Sequence, residues 1–109
     1  MDFNEYQRKT LGTAIYPKIG FSFVYPTLGL SGEVGEISEK IKKICRDKNG
    51  IVSNEDKDLL IKEVGDVLWY LSALAIELGF TLNEAAEKNI EKLYSRKERG
   101  VLGGSGDNR

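Results

Sequence analysis

The chain has no histidine, one cysteine and two prolines. Without histidine, zinc loses its usual ligands, and a di-iron helical bundle, which requires Glu-x-x-His pairs, is excluded. A single cysteine, Cys45, forms no intrachain disulfide and fits a reducing cytoplasm. It falls near the apolar side of its segment, which suggests inert packing. Long hydrophobic runs are also missing. Val67 to Ile76 is interrupted by Ser72, and a membrane span needs about 18 apolar residues. The opening MDFNEYQRKT has no apolar signal-peptide core. The expectation is therefore a cytoplasmic protein with no membrane partner. Charge of one sign is not in excess: the net charge is −1, with no basic face for nucleic acid. Few prolines and 40% hydrophobic residues argue for a folded chain, and 109 residues suit one domain spanning 1–109.

What is present reads as helix. Asp2 and Glu5 have capping-box spacing, placing a first helix at about 3–14. Pro17 and Gly20 mark a break. Pro26 suits the first turn of a second helix running to about Arg46 and ended by DKNG at 47–50. Ser53 with Asp56 opens a third helix, which continues to Leu78 and stops at Gly79. Thr81 with Glu84 opens a fourth, to about residue 99. The last ten residues, GVLGGSGDNR, read as a flexible Gly-rich tail. No segment alternates with period two for long enough to require a strand. The expected fold is all-α, a protomer of four-helix-bundle type with helices 2 and 3 antiparallel.

Helices 2 and 3 carry a repeat. At an offset of thirty, Leu30, Glu33, Val34, Gly35, Glu36 and Ile37 match Leu60, Glu63, Val64, Gly65, Asp66 and Val67. Ile41 and Ile44 match Leu71 and Leu74. At about 100° per residue the apolar members form one stripe, with Glu33 and Glu63 at its edge and Glu36 and Asp66 one turn further. Antiparallel packing then brings all four acids together. Any single Glu-x-x-Glu is ordinarily a solvated surface pair, but its recurrence in the same phase to the stripe favours a shared cation site. Oxygen-only ligation suits Mg²⁺, Mn²⁺ or Ca²⁺, and the chemistry expected of such a site is phosphoryl-ester or anhydride hydrolysis. Without a cation the acids repel, so neutralising one is expected to raise the melting temperature or leave it unchanged. Glu39, Lys40, Lys42 and Lys43 read as an ordinary solvated face.

On helix 4, Asn89 falls within the apolar stripe of Leu82, Ala86 and Leu93, while Lys92 and Arg96 share one flank. Separately these are a core amide and a basic edge; together they suit an anionic triphosphate. Trp69, Tyr70 and Tyr94 are open to either base stacking or packing. Val67 to Leu78 is apolar nearly all round and needs cover on more than one side, which implies an oligomer unless helices 1 and 4 supply it. Gly35 and Gly65 offer places for another helix to approach closely.

GLSGEVGEISEKIKK (29–43) followed by KEVGDVLWYLSALAIELG (62–79) resembles the MazG-like nucleotide pyrophosphohydrolases, whose signature is E-x-x-E, a spacer, then E-x-x-D. NIEKLYSR (89–96) is similar to the family's Asn-x-x-Lys-Leu segment, and GSGDNR resembles the tail of small stand-alone members. The resemblance covers about residues 20–108; residues 1–19 add little. It implies a homodimer or homotetramer that binds Mg²⁺, with Mn²⁺ as a substitute, through Glu33, Glu36, Glu63 and Asp66. It implies hydrolysis of a nucleoside triphosphate to the monophosphate and pyrophosphate, one acid assisting attack on the α-phosphorus. Asn89 would join the metal or phosphate shell, and Lys92 and Arg96 would hold phosphates. Alternatives are a phosphoribosyl-ATP pyrophosphohydrolase, a dUTP or dCTP hydrolase, or a non-catalytic metal-binding helical dimerisation module.

Overall fold

Local capping sets the helix boundaries. In the computed structural model, which describes residues 1–109, α1 spans Phe3–Thr10 and continues as a 3₁₀ turn, Leu11–Thr13. The Asp2 side chain accepts from the Glu5 amide at 2.8 Å. Helix α2 spans Val24–Lys48 and α3 spans Asn54–Leu78. Between them Asn49 adopts a left-handed conformation, φ 53°. This is the stop signal, so α2 runs past Arg46 through Asp47 and Lys48. Ser53 and Asp56 form a reciprocal capping box at the start of α3. Lys48, and next the Ser53 amide and hydroxyl, hold the Asp56 carboxyl down to about 2. Gly79 ends α3 at φ 78°, a conformation available to glycine at little cost. Thr81 caps α4, Leu82–Glu98, by accepting from the Glu84 amide at 3.0 Å.

The chain is all-helical, and α2 and α3 form its longest contact. They run antiparallel: Lys48 meets Asp56, Lys40 meets Glu63, and Gly29 lies against Tyr70. At Gly29 the Tyr70 ring packs where a Cβ would stand, leaving no room for a larger residue. Gly35 and Gly65 face open space within the protomer. The glycine that a neighbouring ring requires here is Gly29, outside the repeated motif.

The N-terminal segment packs across the α3–α4 corner. Gln7 donates to the Phe80 carbonyl at 3.0 Å and accepts from the Leu82 amide at 2.8 Å, tying α1 to the α3–α4 corner. The Thr10 and Ser72 hydroxyls meet at 2.7 Å in a buried contact. Tyr16 stacks on Tyr25 and meets Trp69 edge-on. Trp69 Nε1 donates to Thr13 Oγ1 at 2.8 Å. Burial first, then Glu77, pushes the Tyr16 phenol up to about 12.

The four helices enclose only a small core. The radius of gyration is 16.9 Å, against about 13 Å for a compact chain of this size. Ile44, Ala73, Ala75 and Leu82 are the buried hydrophobics apart from Pro26. The apolar stripe of the repeat is split. Leu30, Ile37, Leu60 and Val67 are half-buried, whereas Val34, Ile41, Val64 and Leu71 remain exposed. Cys45 is also exposed, so its expected packing role does not hold within the protomer. The Gly-rich tail folds back on α4. Arg109 donates to the carbonyls of Val101, Leu102, Gly103 and Gly106, gathering the segment into a closed loop.

Candidate functional site

The antiparallel pairing of α2 and α3 turns the repeated acids toward each other. Glu33, Glu63 and Asp66 each place a carboxylate oxygen within 4.8 Å of the others. Glu33 and Glu63 are half-buried and Asp66 is exposed. Glu36 lies one turn from Glu33, exposed and outside this group of three. Its charge still reaches Glu33. Burial first, then Asp66, Glu63 and Glu36, pushes the Glu33 carboxyl above its ordinary range.

Lys40 also belongs to the site. Its Nζ lies 3.3 Å from Glu63 Oε1, so it does not sit on the plain solvated face expected from sequence. The available signal was its position seven residues after Glu33, two turns along the same helical face. The pairing changes which acid burdens the empty site. Glu63 has an ammonium partner, so neutralising it strands Lys40. Glu33 is the acid pressed by three other carboxylates.

A stability prediction follows for Glu33. A raised carboxyl pKa means that the folded chain holds this proton more tightly than the unfolded chain. Its favourable contribution is present below the unfolded pKa and is lost as pH rises through the folded value. Glu33→Gln is therefore expected to melt higher than wild type at neutral pH without divalent ions. The gap should close as pH falls through the carboxylate range. Added Mg²⁺ should raise the wild-type melting temperature by mass action and raise that of the variant less. Thermal melts at two pH values, with and without Mg²⁺, check all three outcomes.

Glu33, Asp66, Trp69 and Tyr70 line an open cavity of about 300 Å³. Trp69 and Tyr70 meet edge-on, with ring centroids 5.0 Å apart. The Tyr70 phenol is pushed upward by burial first, then by Tyr25, Glu33 and Asp66. The Tyr6 phenol is pushed up by burial and then by Asp66, which brings α1 into the electrostatics of the site. Tyr6 lies outside the stretch that carries the family resemblance. A second cavity, of about 220 Å³, lies at the closed end of the hairpin, where Lys48 and Asp56 pair at 2.9 Å.

The α4 residues stand elsewhere. Asn89 is exposed, not inward-facing. Only Leu82 and Arg96 of this helix are buried, so its apolar stripe does not press Asn89 into a core. Lys92 is half-buried with Nζ 3.4 Å from Asp107 Oδ1. Arg96 is 4% exposed and donates to the Asp107 carbonyl at 2.7 Å. None of the three lines the acidic cavity. Tyr94 is exposed beneath Lys97, away from that cavity.

Residues 25–101 match the family profile described as the MazG nucleotide pyrophosphohydrolase domain. The Gene 37 protein of Mycobacterium phage L5 is 47% identical over 114 residues, covering the whole of both chains. No solved structure matches significantly.

Proposed function

The chain belongs to the MazG nucleotide pyrophosphohydrolase family, and from that premise we propose that it is a Mg²⁺-dependent enzyme hydrolysing a ribo- or deoxyribonucleoside triphosphate to the monophosphate and pyrophosphate. The observation that carries this reading is the convergence of Glu33, Glu63 and Asp66 beside an open cavity. The donor set is oxygen only and anionic, which fits Mg²⁺ or Mn²⁺. Glu36, one turn from Glu33, completes the four acids of the proposed site.

When bound, the ion neutralises phosphoryl charge and makes water a better nucleophile. The chain's own groups supply the rest. Glu33, Glu36, Glu63 and Asp66 would hold the ion at the α2–α3 seam, and one of them would take the proton from the attacking water. Attack at the α-phosphorus breaks its bond to the bridging oxygen, and pyrophosphate leaves. Trp69 and Tyr70 give the cavity an aromatic wall suited to a nucleobase. Lys92 and Arg96 are the cations assigned to the leaving phosphates, with Asn89 beside them on α4. Because they do not line the acidic cavity in a single protomer, that role requires α4 to be brought to it by assembly or movement. The exposed apolar residues of α2 and α3 support a homodimer or homotetramer.

The test is pyrophosphate release from each NTP and dNTP with Mg²⁺ or Mn²⁺. Phosphoribosyl-ATP belongs in the same panel, and dUTP and dCTP are its other diagnostic substrates. Activity is expected to stop with EDTA and return with Mg²⁺. Full activity in chelator would exclude the acidic group as a metal site. Failure to release pyrophosphate from any nucleotide would leave a non-catalytic helical dimerisation module, a reading that the exposed apolar faces also suit.

A further inference from the structure

Arg96 is assigned above to substrate phosphate, yet residues 106–107 cover it. Its Nη2 donates to the Asp107 carbonyl at 2.7 Å and lies 3.5 Å from the Gly106 carbonyl and 3.4 Å from Asp107 Oδ1. The same carboxylate oxygen sits 3.4 Å from Lys92 Nζ. One acidic group therefore spans the two cations as a phosphate oxygen would. The Lys92 side chain remains 41% exposed, so an incoming anion can reach it beside the carboxylate. Arg96, at 4% exposure, has residues 106–107 as its hydrogen-bond acceptors.

We infer that the C-terminal loop is a displaceable latch: Asp107 and the neighbouring carbonyls occupy the Lys92–Arg96 cation pair, and a pyrophosphate group takes their place. The inference rests on the proposed phosphate role of those two cations. The loop is built for such exchange. Arg109 closes it on itself through main-chain carbonyls, so it can move as a unit. Its charged attachment to α4 is confined to Arg96 and Lys92. Arg96 first and Lys92 second hold the Asp107 carboxyl below its usual range, so it stays anionic at neutral pH.

The test uses the full chain with Mg²⁺ and inorganic pyrophosphate as the probe. Calorimetric titration compares wild type with Asp107→Asn, and hydrogen exchange follows residues 101–109. Asp107 is exposed, so the variant is expected to fold, and circular dichroism checks this. Removing the competing carboxylate should tighten pyrophosphate binding about two- to fivefold, the scale of an exposed ion pair. In wild type, pyrophosphate should speed exchange in the loop. Equal or weaker binding by Asp107→Asn would overturn the latch, as would loop exchange that pyrophosphate leaves unchanged or slows. Absence of pyrophosphate binding in both proteins would overturn it too. These outcomes are separable from the hydrolase reading. A chain that releases its loop on binding pyrophosphate but cleaves no nucleotide keeps the latch and loses the enzyme. Nucleotide cleavage with an unmoved loop does the reverse.

Discussion

Glu63→Gln and Asp66→Asn should each reduce nucleotide turnover by about 10²–10³-fold, the scale of losing one fixed charge-stabilising group at a phosphoryl centre, while leaving helical circular dichroism unchanged. Both residues supply oxygens to the three-acid group. Neither change removes volume from a core. The comparison that gives the result meaning is Glu39→Gln. Glu39 is exposed and pairs with Lys42 and Lys43 on its own helix. If Glu39→Gln and Glu63→Gln behave alike in turnover, the repeated acids are not a reaction centre. Glu33→Gln belongs in the same series, where its expected loss of turnover accompanies a gain in metal-free stability. A group that burdens the empty protein and is needed by the working one separates function from folding.

Assembly carries the second large effect. A chain this open leaves Val34, Ile41, Val64 and Leu71 between 38% and 54% exposed, and an isolated protomer would offset little of its conformational entropy. Sedimentation at micromolar concentration should therefore give a dimer or tetramer. Val64→Asp with Leu71→Asp places two charges on that face. If the face is buried by assembly, each unpaired charge should cost about 3–5 kcal/mol, enough to yield monomers or unfolded chain. A wild-type species that is strictly monomeric and still active would overturn the claim. So would an unchanged mass for the double variant.

Features set by neighbouring residues were the most legible in sequence. Ser53 with Asp56, Gly79, and Thr81 with Glu84 marked helix ends because a cap needs only its own turn. The convergence of Glu33, Glu63 and Asp66 was legible because a repeat in phase with an apolar stripe fixes where two paired helices meet, whereas Glu36 stays outside the group. Lys40 was misread because its partner lies on another helix, and its own neighbours resemble surface lysines. Gln7 and Tyr16 act across 73 and 61 residues respectively, at ranges where periodicity carries no information. Asn89 was placed inward by an apolar pattern that assumes its helix is covered, whereas α4 is covered only in part. The tail's composition marks it as Gly-rich, and its arginine contacts to main-chain carbonyls do not depend on the hydrophobic pattern at all.

The contact between Gly29 and Tyr70 makes two distant positions one evolutionary unit. Tyr70 Cε1, Cζ and Cδ1 all lie within 2.7 Å of where a Cβ at 29 would stand, too close for a ring to yield by a small adjustment. Alanine favours a helix over glycine by about 1 kcal/mol, so drift at position 29 has a local incentive that the ring opposes. Tyr70 also walls the acidic cavity, which means that any side chain accepted at 29 reshapes the pocket from behind. The two substitutions should therefore be strongly non-additive. A larger residue at 29 should be tolerated together with a smaller one at 70 where it is not tolerated alone.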